Sequence, residues 1–259
     1  MSISRVLRLL GLLVLSAFLA LPVQAQEDKN LVWERYDVTL DVQRDGRMLV
    51  TETQQIRFLS GEWENGGRKV QLDHVDRISQ VEVAEVGAGG LLEPLPARTA
   101  TEGNELQIAW QFPPTFGGGV RTFQVQYLVE GVVGVYPESH QVRWTAVPEE
   151  RRFPVEAGRV TLNLPGSVPP EDLQLESYPE RLRGEEQPTE NGALFTIDGI
   201  PSYEGFEVRA EFPLGVVQTA VPRWQQAADR QAYLNENVKP RNNVTLLGLG
   251  VLIPVVGLV

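Results

Sequence analysis

The chain has 259 residues, with 23 Lys and Arg against 34 Asp and Glu, a net charge of −11 and no cysteine. Such an acidic surface repels phosphate backbones and anionic lipid headgroups, which argues against nucleic acid as a partner. The absence of thiols rules out a disulfide framework, so stability has to come from a packed core, and about 190 residues between Leu31 and Val221 are enough for one.

Residues 1–25 read as a secretory signal: Arg5 and Arg8 form the basic region, residues 9–21 the apolar stretch, and Val23-Gln24-Ala25 a cleavage site before Gln26. The apolar stretch is shorter than the ~20 residues a span needs, which disfavours an uncleaved anchor. Removing the two arginines takes the charge from −11 to −13.

From there the dominant period is two, as half-buried strands require. Tyr36, Val38, Leu40 and Val42 alternate with polar residues, and Asp45-Gly46 supplies a hairpin signal of the type I′ kind. Met48, Val50, Ile56 and Phe58 share a phase on the return strand. Leu106, Ile108, Trp110 and Phe112 alternate cleanly, residues 113–119 form a loop, and Phe123, Val125, Tyr127 and Val129 follow. Later strands carry Val142, Trp144 and Ala146, then Val160, Leu162 and Leu164, then residues 194–197, then Phe206, Val208, Ala210 and Phe212. Short alternating strands between Gly, Pro and Asp turns predict an all-β, antiparallel β-sandwich.

The alternation breaks at residues 131–140. The chain divides there into a lobe at 26–130 and a second at 131–218, either two immunoglobulin-like lobes or one sandwich continued; the strand count of each half favours two. Residues 219–241 are expected to form a juxtamembrane helix and linker, opened by Pro222 and closed by Pro240. Trp224, Ala227, Ala228 and Leu234 give that helix a weak apolar stripe, suited to the headgroup level of a membrane or to packing on the sandwich. Residues 242–259 carry no charge and read as the start of a transmembrane helix. At about 1.5 Å per residue such a helix falls short of the ~30 Å hydrocarbon core, so the chain is expected to be part of a longer protein.

Asp45-Gly46 before Val50-Thr51-Glu52, residues 58–68, Tyr127 to Gly131 in residues 127–131, Trp144, and Val160-Thr161-Leu162-Asn163-Leu164-Pro165 together resemble the bacterial membrane proteins that carry the domain of unknown function numbered 2207. The resemblance implies an extracytoplasmic β-rich domain followed by membrane helices. It implies no activity, because the family has none assigned, and it transfers no catalytic residue.

Glu52 stands out of pattern. Counting by twos from Met48 places it on the face of Ile56 and Phe58, where a carboxylate is costly unless paired. Arg68, after the turn-like Gly66-Gly67, is the expected partner; the alternative is a bulge that turns Glu52 to solvent.

No catalytic, cofactor-binding or metal-binding residues are assigned. His74 and His140 are expected at turns or on the surface, and no nucleophile elbow or phosphate-binding loop is present. Glu62 and Glu64 around Trp63, and Glu149 and Glu150 after Trp144, are the carboxylate groupings that a glycan-processing site could use. Asp37, Asp41 and Asp45 share a polar face, but neighbours are about 13 Å apart on a strand, too far to hold one calcium ion. Asn243-Val244-Thr245 matches a glycosylation sequon, without consequence at a membrane boundary. The expected role is a structural, sensory or protein-interaction module at the cell envelope, tethered by its C-terminal helix and with an envelope protein as partner; the alternative is an envelope glycan-binding or glycan-processing domain.

Overall fold

The computed structural model describes residues 29–182 and 184–237. The expected signal at 1–25 and the apolar run at 242–259 lie outside those residues. Among the described residues no helix is long and apolar enough to cross a membrane.

In chain order the strands are β1 (Asn30–Val42), β2 (Met48–Ser60), β3 (Trp63–Gln71), β4 (Arg77–Val86), β5 (Leu92–Pro94), β6 (Ala97–Glu102), β7 (Glu105–Thr115), β8 (Val120–Glu130), β9 (Val133–Val135), β10 (Ser139–Val147), β11 (Val155–Asn163), β12 (Gln174–Tyr178), β13 (Gly184–Thr189), β14 (Gly192–Ile200) and β15 (Phe206–Pro213), followed by helix α1 (Arg223–Asn237). They form an all-β structure of three sheets. One has eight strands in the order β13-β14-β11-β1-β2-β8-β4-β5, one has four (β12-β15-β10-β9) and one has three (β3-β7-β6). Pairing is antiparallel except between β1 and β11, which run parallel from Trp33↔Val155 to Asp41↔Asn163. Through that pair the large sheet joins strands from both sides of residues 131–140.

The alternating residues point where the period of two places them. Tyr36, Val38, Leu40, Met48, Val50, Phe58, Phe123, Val125, Tyr127 and Val129 are buried on one face of the large sheet. Both smaller sheets lie on that face: Trp110 and Phe112 of β7 pack on Phe123, with ring centroids 5.7 and 4.9 Å apart, and Trp144 of β10 lies 6.2 Å from Tyr127. All three sheets share one apolar core.

Two local readings are corrected. The β1–β2 connection is not type I′, since only Gly46 takes a positive φ, of 79°, and the turn closes through Gly46 N–H to the Gln43 carbonyl at 3.0 Å. Gly66-Gly67 is not a turn but lies inside β3. A Cβ on Gly66 would come within 2.2 Å of the Trp110 ring, so glycine at this strand position lets the indole cross the backbone.

Candidate functional site

Glu52 sits where the three sheets meet. It is fully buried, in unbroken register with Val38 on β1 and Val125 on β8, so no bulge turns it outward. Arg68 reaches it from β3, with Nε donating to both carboxylate oxygens at 2.8 and 2.9 Å. The Tyr36 and Tyr127 hydroxyls each donate to it at 2.6 Å, and Gln54 Nε2 at 3.2 Å. The expected Glu52–Arg68 pair is therefore present, and the charge is met by donors from β1, β2, β3 and β8. Burial first, and then the Glu52 charge, push both tyrosine pKa values well above 10. Burial works against the charged form of Arg68, but the surrounding acidic groups outweigh it and its pKa is raised.

Arg68 also spans the space between the two smaller sheets. Nη2 donates to the Thr145 carbonyl of β10 at 3.2 Å, and Nη1 to the Lys69 carbonyl of its own strand. β3 pairs only with β7, so its other edge is free of strand partners among the described residues.

Beside that free edge opens a cleft of about 430 Å³. Tyr36, Gln54 and Arg68 of the buried network form part of its floor; Trp33, Trp63, Phe153, Gly66, Gly67, Arg151 and Arg152 line it, together with Lys69, Glu150 and the β7 residues Gln107, Ile108 and Ala109. Trp63 meets Phe153 edge to face at 5.8 Å, and Trp33 Nε1 donates to Gln54 Oε1 at 3.3 Å. Cations overlie each ring: Lys29 on Trp63 at 5.3 Å, Arg151 on Trp33 at 5.8 Å and Arg152 on Phe153 at 5.4 Å. Arg151 is only 5% exposed, yet its hydrogen bonds go to the backbone carbonyls of Phe153, Pro201 and Glu204 and, among the described residues, to no carboxylate; its Nε has no partner. Burial lowers its pKa to about 10. Glu150, also in the lining, is held by Lys69 at 2.8 Å, so among the described residues Arg151 and Arg152 are the cleft's cations without a carboxylate partner.

At the opposite end of the large sheet, α1 is fastened by its first turn. The Asp76 carboxylate accepts from the backbone N–H of Arg223 and Trp224 at 3.1 and 3.3 Å, capping a helix whose own sequence supplies no cap. Trp224 Nε1 donates to the Gly131 carbonyl at 2.6 Å and its ring stacks edge-on with His74. Gln225 accepts from Val135 N–H and donates to Val135 O, at 2.9 and 2.6 Å, as a neighbouring strand would.

The sequence profile of a family described as "Predicted membrane protein (DUF2207) N-terminal domain" matches residues 33–212. The chain belongs to the DUF2207 family. The match places the protein at a membrane and carries no activity with it. No curated protein matches the chain. Among solved structures, the DUF2207 domain is similar to an M1 zinc metallopeptidase from Deinococcus radiodurans at 13% identity, with TM-score 0.38 and 72% of this chain against 43% of that one. Yeast LTA4 hydrolase in complex with bestatin is similar at 11% identity, with TM-score 0.43, 74% of this chain and 31% of that one. The chain thus spans less than half the length of these structures, and both likenesses are too distant to bear on chemistry.

The DUF2207 domain disperses the carboxylate groupings. Glu62 and Glu64 are exposed around the start of β3 and outside the cleft, while Glu150 lines the cleft and is paired with Lys69 at 2.8 Å. Trp144 is buried in the core, so it forms no exposed platform beside Glu149. Asp37, Asp41 and Asp45 each have their own partner, in Arg35, Asn163 and Arg47. His74 lies at a turn, but His140 is buried in β10 with its Nδ1 unpartnered, and burial lowers its pKa. Of the expected apolar stripe of α1, Trp224 docks on the sandwich while Ala227 and Ala228 are exposed; the Leu234 side chain lies outside the described residues. Sequence reasoning missed Asp76, Gln225 and the cationic aromatic cleft. For the cleft a signal existed, since Arg151-Arg152-Phe153 is a basic and aromatic cluster in an acidic chain.

Proposed function

We propose that this domain is the extracytoplasmic recognition module of a membrane-tethered protein, binding a partner at the envelope rather than catalysing a reaction. The observation that carries the reading is the polarity of the large sheet. The cleft lies at the Trp33–Ile56–Arg121 end of the strands and the fastened exit helix at the Val42–Met48–Val129 end. Nine residues of β1 separate the two rows, about 30 Å at the rise of a strand. If the chain enters the membrane after α1, the cleft stands at the membrane-distal end, where a partner can reach it.

The test is a topology assay on the full-length gene product, with reporters at residue 230 and at the C-terminus, together with N-terminal sequencing of the mature chain. Residue 230 outside and a start at Gln26 are the expected results. Residue 230 in the cytoplasm would overturn the extracytoplasmic assignment. A glycan-binding role draws on the same observation, because the Trp33, Trp63 and Phe153 rings are surfaces on which sugars stack; binding of neutral oligosaccharides in the cleft would favour it.

A further inference from the structure

The walls of the cleft are a strand edge and a loop, and this says what fits between them. On one side runs the distal half of β3, whose outer edge is unpaired among the described residues and whose exposed Gly67 leaves the backbone bare. On the other runs the 148–153 connection between β10 and β11. β3 and β10 share no backbone pairing, and over most of their length their Cα atoms stay more than 8 Å apart, whereas paired strands sit about 5 Å apart. The Arg68 guanidinium bridges them, holding one carbonyl from each strand, and next to it Lys69 pairs with Glu150 of the connection at 2.8 Å.

We infer that the cleft accepts an extended peptide segment of a partner protein, which adds as a strand to the free edge of β3 and sets a carboxylate against Arg152, beside the buried charge of Arg151. This deepens the recognition role proposed above and rests on it. Main-chain hydrogen bonds to a strand edge supply affinity without sequence specificity, and the pockets beside the edge supply the selection. Here the pocket is three aromatic rings and two arginines without carboxylate partners among the described residues, while Glu150 in the same lining is held by Lys69, so the pocket selects an apolar side chain next to an anionic group. Arg68 closes the slot on the side of α1, which limits the added strand to the part of β3 before it. The free edge from Trp63 to Gly67 accommodates about five residues of extended chain.

The test uses the full chain in nanodiscs and six-residue, acetyl-capped Val/Thr/Phe peptides in four forms: free C-terminal carboxylate, C-terminal amide, amide with one internal Asp, and a carboxylate form N-methylated at alternate residues. Binding is read by tryptophan fluorescence and by hydrogen exchange across residues 63–71. The carboxylate or Asp forms are expected to bind about tenfold more tightly than the plain amide, since a charge-assisted bond is at stake. Comparing these two forms identifies whether a chain end or a side chain supplies the anion. The N-methylated form should lose the protection at residues 63–71, and Arg152→Gln should erase the preference for carboxylate without changing the melting temperature.

Equal affinity of the plain amide and both anionic forms, or undiminished binding of the N-methylated peptide, would overturn the inference while leaving the cleft a recognition site. A cello- or chito-oligosaccharide that shifts the fluorescence where no peptide does would also overturn it, in favour of a glycan ligand. Residue 230 found in the cytoplasm would instead remove the reading on which the inference rests.

Discussion

Replacing Glu52 by Gln tests the junction of the three sheets directly. The substitution keeps the side-chain shape and removes the charge, leaving the Arg68 guanidinium, 2% exposed, without the carboxylate that compensates it. Both Nε bonds from Arg68 weaken, and the new amide N–H₂ faces two tyrosine hydroxyls that now donate to the carboxylate. Breaking a buried ion pair from one side costs about 3–5 kcal/mol. For a domain near 200 residues each kcal/mol moves the melting temperature by about 2–4 °C, so the expected fall is about 6–20 °C. Thermal unfolding followed by circular dichroism measures it, with urea unfolding as the equilibrium check. Combining Glu52→Gln with Arg68→Met should cost less than the two changes summed, because the double variant strands no charge. A melting temperature within about 2 °C of the parent for Glu52→Gln would show that the pair does not hold the sheets together.

Other expected outcomes concern packing, the exit helix and pH. Gly66→Ala should destabilise by about 1–3 kcal/mol because its Cβ meets the Trp110 ring at 2.2 Å, whereas Gly67→Ala, with its nearest atom at 3.6 Å, should fall within about 0.5 kcal/mol of the parent; urea midpoints compare them. Asp76→Ala removes the cap of α1, worth about 1 kcal/mol, and should speed amide exchange at residues 223–226 about fivefold; unchanged exchange there would show that the cap does not hold the turn. In alkali, Tyr36 and Tyr127 keep their protons in the folded state while the unfolded chain releases them above pH 10, so stability is complete below that pH and falls above it. Two such groups give a slope of about 2.7 kcal/mol per pH unit, partly offset by Arg151, which deprotonates first in the folded state. Tyrosinate absorbance should show two of the six tyrosines silent until unfolding, and a single titration of all six near pH 10 before the fold is lost would contradict this.

Where one face of a strand is apolar and the other polar, the architecture is legible in the sequence: period two gives most inward residues of β1, β2, β7, β8, β10, β11 and β15, and breaks where the register shifts, as between Trp33 and Arg35 and between Thr145 and Val147. Glu52 was legible for the same reason, as the one acid in an apolar phase. β3 was not, because Asn65-Gly66-Gly67 carries turn chemistry and the demand for glycine comes from Trp110, distant in sequence. The edge strands β5, β6 and β13 are exposed throughout and so have no hydrophobic period to read. The parallel pairing of β1 with β11 joins residues more than a hundred positions apart, and no local pattern encodes it. The fastening of α1 was hidden likewise, since its cap, Asp76, lies 147 residues from the turn it holds.

That fastening has a mechanical consequence. A helix hung on a slack linker lets a domain tumble, whereas one bolted at Asp76, Gly131 and Val135 makes sheet and helix a single lever. With an arm of about 30 Å from bolt to cleft, a tilt of about ten degrees at the helix root sweeps the cleft through about 5 Å, and a pull at the cleft returns as torque on the helix.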